Sequence, residues 1–228
     1  MTNSSSLIIN QPNNLTGEIF VPGDKSITHR AIMLGSLSSG RIDIKNSLLS
    51  EDCKRTVDAF IKLGVNISIN DATISIYGKG LNSLKPPCSI IDAGNSGTLA
   101  RLISGVLAVQ NFDSSISGDC SLVKRPLKRI IDPLTVAGAN ISSTDNLMPL
   151  SFKQSTNLKI INYTCLIPSA QIKSCLILAS LFLDGTSIIK ETIKTRDHTE
   201  RMLQFLDYPI SINDNVISID GNGTISAK

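Results

Sequence analysis

Lys25, Ser26 and Arg30 fall in the stretch Gly23-Asp24-Lys25-Ser26-Ile27-Thr28-His29-Arg30, just ahead of an apolar run from Ala31 to Leu37. With that run as a helix, an ammonium and a hydroxyl lie on its first turn. A guanidinium one turn further along faces the same point. The first turn also carries unpaired N–H groups and the positive end of the helix dipole. The chemistry offered is capture of an anion, most simply a phosphate or carboxylate. Two further stretches repeat the construction with other side chains: Asn95-Ser96-Gly97-Thr98 with Arg101, and Ser169-Ala170-Gln171. Lys124, Arg125, Lys128 and Arg129 add a basic cluster to the second, and Thr195, Arg196 and His198 accompany the third. Gly94 and Gly97 allow main-chain N–H groups to approach a ligand closely.

The elements that must position these groups also repeat, at intervals of about 70 residues. Ile67–Asp71 followed by Ala72–Tyr77, and Ile210–Asp214 followed by Asn215–Ile219, are alternating apolar/polar segments broken by Asn-Asp, hence β-hairpins. A weaker middle copy runs Ala139–Ser143, a Thr144-Asp145-Asn146 turn, then Leu147–Phe152. Gly64, Gly138 and Asp207-Tyr208-Pro209 end the helices before the hairpins. Upstream, a strand leads through small residues into a first helix: Glu18–Val21 into Lys25, Ile90–Asp92 into Ser96, and Cys165–Ile167 into Ala170. A second strand (Ile42–Lys45, Ser114–Ser117, Ser187–Ile189) and a second helix (Asp52–Leu63, Pro126–Val136, Asp197–Phe205) follow.

The predicted fold is therefore α/β (α+β): three βαβαββ repeats with pseudo-threefold symmetry, in units of about 15–80, 84–153 and 157–222. The third unit's first helix, with Ile172, Cys175, Leu176, Leu178, Ala179 and Phe182, is apolar nearly all round and belongs at the centre. Threefold packing brings the leading ends of three such helices to one end of the domain.

Composition narrows the function classes. The chain has 228 residues, 41% of them hydrophobic, with a net charge of +3. That is enough material for a sizeable core and too mild a charge to argue for nucleic acid. Aromatic residues are 4% with no tryptophan, so stacking platforms for single strands are scarce. The five cysteines (Cys53, Cys88, Cys120, Cys165, Cys175) form no CxxC pair, and read as reduced, mostly buried small hydrophobes of a cytoplasmic protein rather than a zinc site. No metal or cofactor is expected. The N-terminus lacks the pattern of a signal peptide, and the apolar stretch Ile172–Leu183 is too short to span a bilayer.

Five ordered motifs carry a resemblance: Gly23–Arg30, Gly94–Thr98, Lys124-Arg125-Pro126, Pro168–Gln171 and Thr195-Arg196-Asp197-His198-Thr199-Glu200. From about residue 7 to the end the chain resembles the 5-enolpyruvylshikimate-3-phosphate synthase (3-phosphoshikimate 1-carboxyvinyltransferase) family of the shikimate pathway. The resemblance implies transfer of the enolpyruvyl group of phosphoenolpyruvate to the 5-hydroxyl of shikimate 3-phosphate, with release of phosphate. It implies Lys25 as catalytic, reaching both substrates. Lys25, Ser26, Arg30, Ser169, Ala170, Gln171, Thr195 and Arg196 would bind shikimate 3-phosphate. Lys25, Asn95, Gly97, Thr98, Arg125 and Gln171 would face phosphoenolpyruvate, with Arg101 holding that loop. It implies a two-lobed fold of which residues 15–228 supply one lobe and residues 1–14 a segment that pairs with the other. The general acid and base are expected from that other lobe, so this chain alone should bind substrate without turnover.

Plainer readings stand beside these. Ser26 and Ser169 are equally good as helix N-caps, and Asn95 as a turn stabiliser. Lys128, Arg129 and Arg201 read as solvated helix faces. His29 and His198 read as packing or surface residues, and Asp24, Glu51 and Asp52 as residues compensating helix dipoles. The competing functions are a UDP-sugar carboxyvinyltransferase of related fold and a non-catalytic phosphate- or RNA-binding module.

Overall fold

The computed structural model describes residues 6–12 and 14–228. Six α-helices and eleven β-strands form among them. The first unit contains α1 (Lys25–Leu37), β1 (Ser39–Ile44), α2 (Glu51–Lys62), β2 (Asn66–Asn70) and β3 (Thr73–Lys79). The second contains β4 (Ile91–Asp92), α3 (Gly97–Leu107), β5 (Ser114–Ser117), α4 (Lys128–Val136), β6 (Asn140–Thr144) and β7 (Leu147–Lys153). The third contains β8 (Asn162–Cys165), α5 (Ala170–Ser180), β9 (Thr186–Glu191), α6 (His198–Phe205), β10 (Ile210–Asn213) and β11 (Val216–Asp220).

Each unit builds its own sheet, and the strand orders match: β4-β5-β7-β6 and β8-β9-β11-β10, with β1-β3-β2 lacking the first strand. The turns set the register. Asp71, Asp145 and Asp214 open the three two-residue hairpin loops with φ of 51°, 53° and 53°. Aspartate tolerates that left-handed conformation better than most residues. The registers place Ser68 opposite Ser75, Ser142 opposite Ser151 and Ser211 opposite Ser218, one serine pair per hairpin. On the other face Ile74 and Ile76, Leu150 and Phe152, and Ile217 and Ile219 are buried against the helices.

The threefold arrangement is uneven at its centre. α3 and α5 pack along their lengths, and Gly105 lies directly against the main chain of Cys175, with no room for a Cβ. α1 lies against α3 and α6 and is tied to α5 by Arg30. As the sequence implies, α5 is buried on every side, with only Gln171 partly exposed.

The expected strand Glu18–Val21 is not formed. Leu15, Ile19, Phe20 and Val21 are 70–92% exposed, because this segment reaches no ladder and no face to cover. An apolar pattern without cross-strand hydrogen bonds does not make a strand. The edge of β1 that the segment would join is met at Ser39 by the far end of the chain instead. Ser39 N donates to Ile225 O (2.7 Å) and Ala227 N to Ser39 O (3.1 Å), a parallel contact on the side of β1 where β4 lies beside β5 and β8 beside β9. The expected pairing of residues 1–14 falls partly on residues 1–5 and 13, outside the described residues. The strand expected at Cys165–Ile167 lies earlier and ends at Cys165, since Pro168 and the helix cap at Ser169 force the chain to turn. Cys53, Cys165 and Cys175 are buried, but Cys88 and Cys120 are exposed, on loops where no apolar face covers them. No helix among the described residues is long and apolar enough to cross a membrane.

Candidate functional site

Caps fix the leading ends of the three first helices. Asp24 Oδ1 accepts from Ile27 N (2.8 Å) at α1, Ser96 Oγ from Leu99 N (3.2 Å) at α3, and Ser169 Oγ from Ile172 N (3.4 Å) at α5. Of the two serines with a cap reading, Ser169 is a cap. Ser26 is not, because Asp24 already fills that role and leaves the Ser26 hydroxyl free to face elsewhere.

Side-chain contacts then join the three ends into one rim. Arg196 Nη1 reaches Ser26 Oγ (3.4 Å), linking the third unit to the first. Gln171 Nε2 donates to Thr98 Oγ1 (3.2 Å), linking the third to the second. Arg125 Nη2 donates to Asn95 Oδ1 (2.9 Å) and Ser121 Oγ (3.2 Å), and Arg101 Nη1 to Gly97 O (3.1 Å). A Cβ on Gly97 would lie 2.8 Å from Arg101 Nη1 and 3.3 Å from Arg125 Nη1, so the missing side chain is what admits both guanidinium groups. Between the α5 end and Thr195-Arg196 opens a groove of about 430 Å³ lined by Pro168, Ser169, Ala170 and Gln171. Gln171 and Ser169 also face a second groove of about 690 Å³, which runs to Arg101 and Arg129.

The rim gathers positive charge faster than it neutralises it. Among the described residues neither Arg125 nor Arg196 forms a salt bridge. Burial lowers the Arg101 guanidinium from its ordinary pKa, and the charges of Arg125 and Arg129 lower it further. Burial and then the Arg196 charge do the same to Arg30. Arg101, Arg125 and Arg129, gathered with no salt bridge among the described residues, are a poor arrangement for stability and a good one for an anion.

Not every expected ligand group stands free. Lys25 Nζ is bonded to Asp52 Oδ2 (3.0 Å) in a half-exposed pair. Asn95 also donates to Asp119 Oδ2 (2.7 Å) and so is clamped between Asp119 and Arg125. Arg30 is 4% exposed and donates inward: Nε to Thr199 Oγ1 (2.8 Å), Nη2 to Ser174 Oγ (2.9 Å) and Nη1 to Ser26 O (3.0 Å). Lys128, Arg129 and Arg201 are exposed.

His29 is fully buried and meets Thr56 Oγ1 at 2.6 Å, while its Nε2 has no partner among the described residues. Burial, reinforced by Lys25 and Arg30 and opposed by Asp52, lowers its pKa to about 4. The unfolded chain therefore binds the proton first, and native stability is lost as pH falls from about 6.5 towards about 4. The expected loss from this group is roughly 2 kcal/mol by about pH 5. A His29→Gln variant should lack that slope in urea titrations. An imidazole midpoint near the ordinary value by NMR would contradict the account.

Sequence reasoning missed a second layer. Lys173 is 1% exposed and lies between Glu191 Oε2 (2.8 Å) and Glu200 Oε1 (2.6 Å). The available signal was a lysine inside an otherwise apolar helix, which at such a position needs a carboxylate partner. Ser174 and Thr199, the Arg30 acceptors, were also missed; each adjoins a member of that layer.

Comparison with known proteins places this geometry. Residues 9–228 match the family model described as EPSP synthase (3-phosphoshikimate 1-carboxyvinyltransferase). The 3-phosphoshikimate 1-carboxyvinyltransferase of Ruthia magnifica subsp. Calyptogena magnifica is 49% identical over 98% of this chain and 51% of its own length. That of Methylococcus capsulatus is 46% identical over 93% and 49%. The structure of EPSP synthase from Acinetobacter baumannii superposes with a TM-score of 0.89 at 42% identity, over 92% of this chain and 48% of that one. The chain thus spans about half the length of the relatives it matches. With its repeated units and their order shared across nearly its whole length, the chain belongs to the EPSP synthase family.

Proposed function

We propose that this chain forms the shikimate-3-phosphate-binding half of a carboxyvinyltransferase, and that a second lobe of similar size completes the site. The reaction is transfer of the enolpyruvyl group of phosphoenolpyruvate to the 5-hydroxyl of shikimate 3-phosphate, with phosphate leaving. The observation that carries this reading is the rim itself, where Arg196 with Ser26, Gln171 with Thr98, and Arg125 with Asn95 tie three helix ends together. Two anionic substrates need several fixed cations and N–H groups in one place.

In this reading Ser169, Ala170, Gln171, Thr195 and Arg196, with Lys25 and Ser26, hold the phosphate and ring of shikimate 3-phosphate. Arg125, Asn95, Gly97 and Thr98 face phosphoenolpyruvate. Lys25 exchanges Asp52 for substrate phosphate or carboxylate, and that ion pair keeps it extended beforehand. Arg30 serves from beneath, holding the Ser26 carbonyl. Protonation of the methylene carbon and removal of the hydroxyl proton need an acid and a base. The second lobe supplies them, and residues 15–228 act as one substrate-binding body.

Calorimetry on the purified chain tests the reading. Heat with shikimate 3-phosphate and no phosphate release with both substrates present are expected. Losing one charge-assisted contact costs about 1.5–3 kcal/mol, so Arg196→Ala should weaken that binding by roughly 10- to 100-fold. Heat only with a UDP-sugar, or salt-dependent RNA binding in place of either metabolite, would overturn it.

A further inference from the structure

Leaving histidine aside, four charged side chains are buried among the described residues: Arg30, Lys173, Glu191 and Glu200. They belong to one cluster. Lys173 on α5 bridges Glu191 at the end of β9 and Glu200 on α6. Arg30 on α1 bonds Ser174 and Thr199, the neighbours of Lys173 and Glu200. Two cations and two carboxylates make a neutral set, which is the condition for keeping charge out of water. Such sets are weak evidence for stability, since well-packed apolar residues often do as well. Their special property is direction, because the bonded oxygens and N–H groups hold one another in fixed orientations.

That direction leads to the rim. Glu191 spends Oε2 on Lys173 and turns Oε1 to the loop before α6, where it accepts from Thr195 N (3.1 Å) and Thr195 Oγ1 (2.5 Å). The next residue is Arg196, which is exposed and has Ser26 as its side-chain contact. Nothing else among the hydrogen bonds of the described residues fixes the Thr195 amide or hydroxyl. A short loop held at one residue by a buried carboxylate presents the following side chain at a set place.

We propose that Glu191, locked by Lys173, is a positioning residue: its carboxylate anchors Thr195 and thereby places the Arg196 guanidinium for the substrate phosphate. This rests on the reading of Arg196 as a shikimate-3-phosphate ligand. Glu191 does not touch substrate; it acts through the loop. Glu200 takes a second hydrogen bond of the Lys173 ammonium, and Glu191 meets it through Oε2 alone, with Oε1 turned to Thr195.

The test is a double-mutant cycle with calorimetry of shikimate 3-phosphate. Glu191→Gln keeps the volume but removes the charge that pairs with Lys173. Its dissociation constant should rise roughly tenfold or more, as expected when a binding group is displaced by about 1 Å. In an Arg196→Ala background the same change should cost clearly less, because the guanidinium it places is gone and only the Thr195 contact is left to lose. A purely structural role would give the same loss in both backgrounds, and that result overturns the proposal. So does unaltered affinity in Glu191→Gln. Hydrogen exchange of the unmodified chain gives a second measurement independent of any variant's folding: the Thr195 amide should be protected, and exchange at the rate of a free loop amide overturns the anchor. Absence of binding by the unmodified chain would instead remove the substrate reading, while the exchange result would still decide whether Glu191 holds the loop.

Discussion

Lys173→Met is expected to cost the fold about 3–5 kcal/mol, the usual range for removing one partner of a buried ion pair. Methionine fills nearly the same space, so packing is not the source. The source is the pair of carboxylates left behind: Glu191 and Glu200 are both buried, and the ammonium at 2.8 and 2.6 Å is what makes their charges tolerable. Glu200 Oε2 already has no hydrogen-bond partner among the described residues, and burial raises the Glu200 carboxyl above its ordinary value in spite of Lys173. The sign of the pH effect follows. With the native pKa raised, the native chain binds more protons than the unfolded chain from the ordinary carboxylate range up to that raised value. Stability therefore falls as pH rises through the window. Without Lys173 the carboxyl rises further, the window widens upward, and the variant should lose less at acid pH than at neutral pH. The His29 contribution runs the other way in both proteins and cancels in the difference between them. Urea unfolding of both proteins at acid and neutral pH checks this. A loss under about 1 kcal/mol with no pH dependence would show that the ammonium is not what balances these carboxylates. Adding Glu191→Gln and Glu200→Gln to Lys173→Met should recover part of the stability, because the carboxylates stranded by the loss of the ammonium are gone, while Arg30 keeps a buried charge held by hydroxyl and carbonyl oxygens. It should not recover affinity for shikimate 3-phosphate. Stability and positioning would then separate in one set of proteins.

Much of the arrangement is legible from local chemistry. Asn-Asp breaks between alternating segments, and Gly64 and Gly138 after helices, mark positions that need a left-handed backbone, so the hairpins and helix ends follow from residues a few places apart. Arg196 and Arg125 stand out because a turn motif places each beside a helix end. The parts that stay hidden depend on partners distant in sequence. Glu18–Val21 has the pattern of a strand but gains one only from a neighbouring ladder, and residues 225–227 approach that edge from the far end of the chain. Arg30 looks like a ligand in its motif. Its turn inward becomes visible only with Ser174 and Thr199 in place, 144 and 169 residues away. The same holds for Lys173, whose carboxylates come from a strand end and a helix that periodicity alone cannot bring to it.

Gly105→Ala is expected to destabilise the chain by about 3 kcal/mol or more, and two effects of opposite sign make the result decisive. In an ordinary helix interior alanine is favoured over glycine by about 1 kcal/mol, so α3 considered alone predicts a gain. Packing predicts the reverse. A Cβ on Gly105 would stand 2.0 Å from the Cys175 carbonyl oxygen and 2.9 Å from its carbon, both main-chain atoms of α5. No rotamer change relieves contact with a backbone, so the two helices must separate by about 1 Å, and both are buried along almost their whole length. Separation opens gaps between Leu102, Ile103 and Val106 and the residues that face them, and tight interiors transmit such strain instead of absorbing it. Overpacking costs about 1–3 kcal/mol at adaptable sites, and a rigid main-chain clash between central helices belongs at or above the top of that range. For a chain of this size the melting temperature should fall by roughly 6–12 °C. Gly97→Ala is the matched comparison for stability, since its Cβ would press mainly on guanidinium ends that can move. It should change stability by under about 1 kcal/mol in either direction. Equal melting temperatures for the Gly105 variant and the unmodified chain would mean that α3 and α5 do not meet along this seam. The common rim would lose its foundation, because the ends of α3 and α5, with Thr98 and Gln171, are held at hydrogen-bonding distance by that same helix pair.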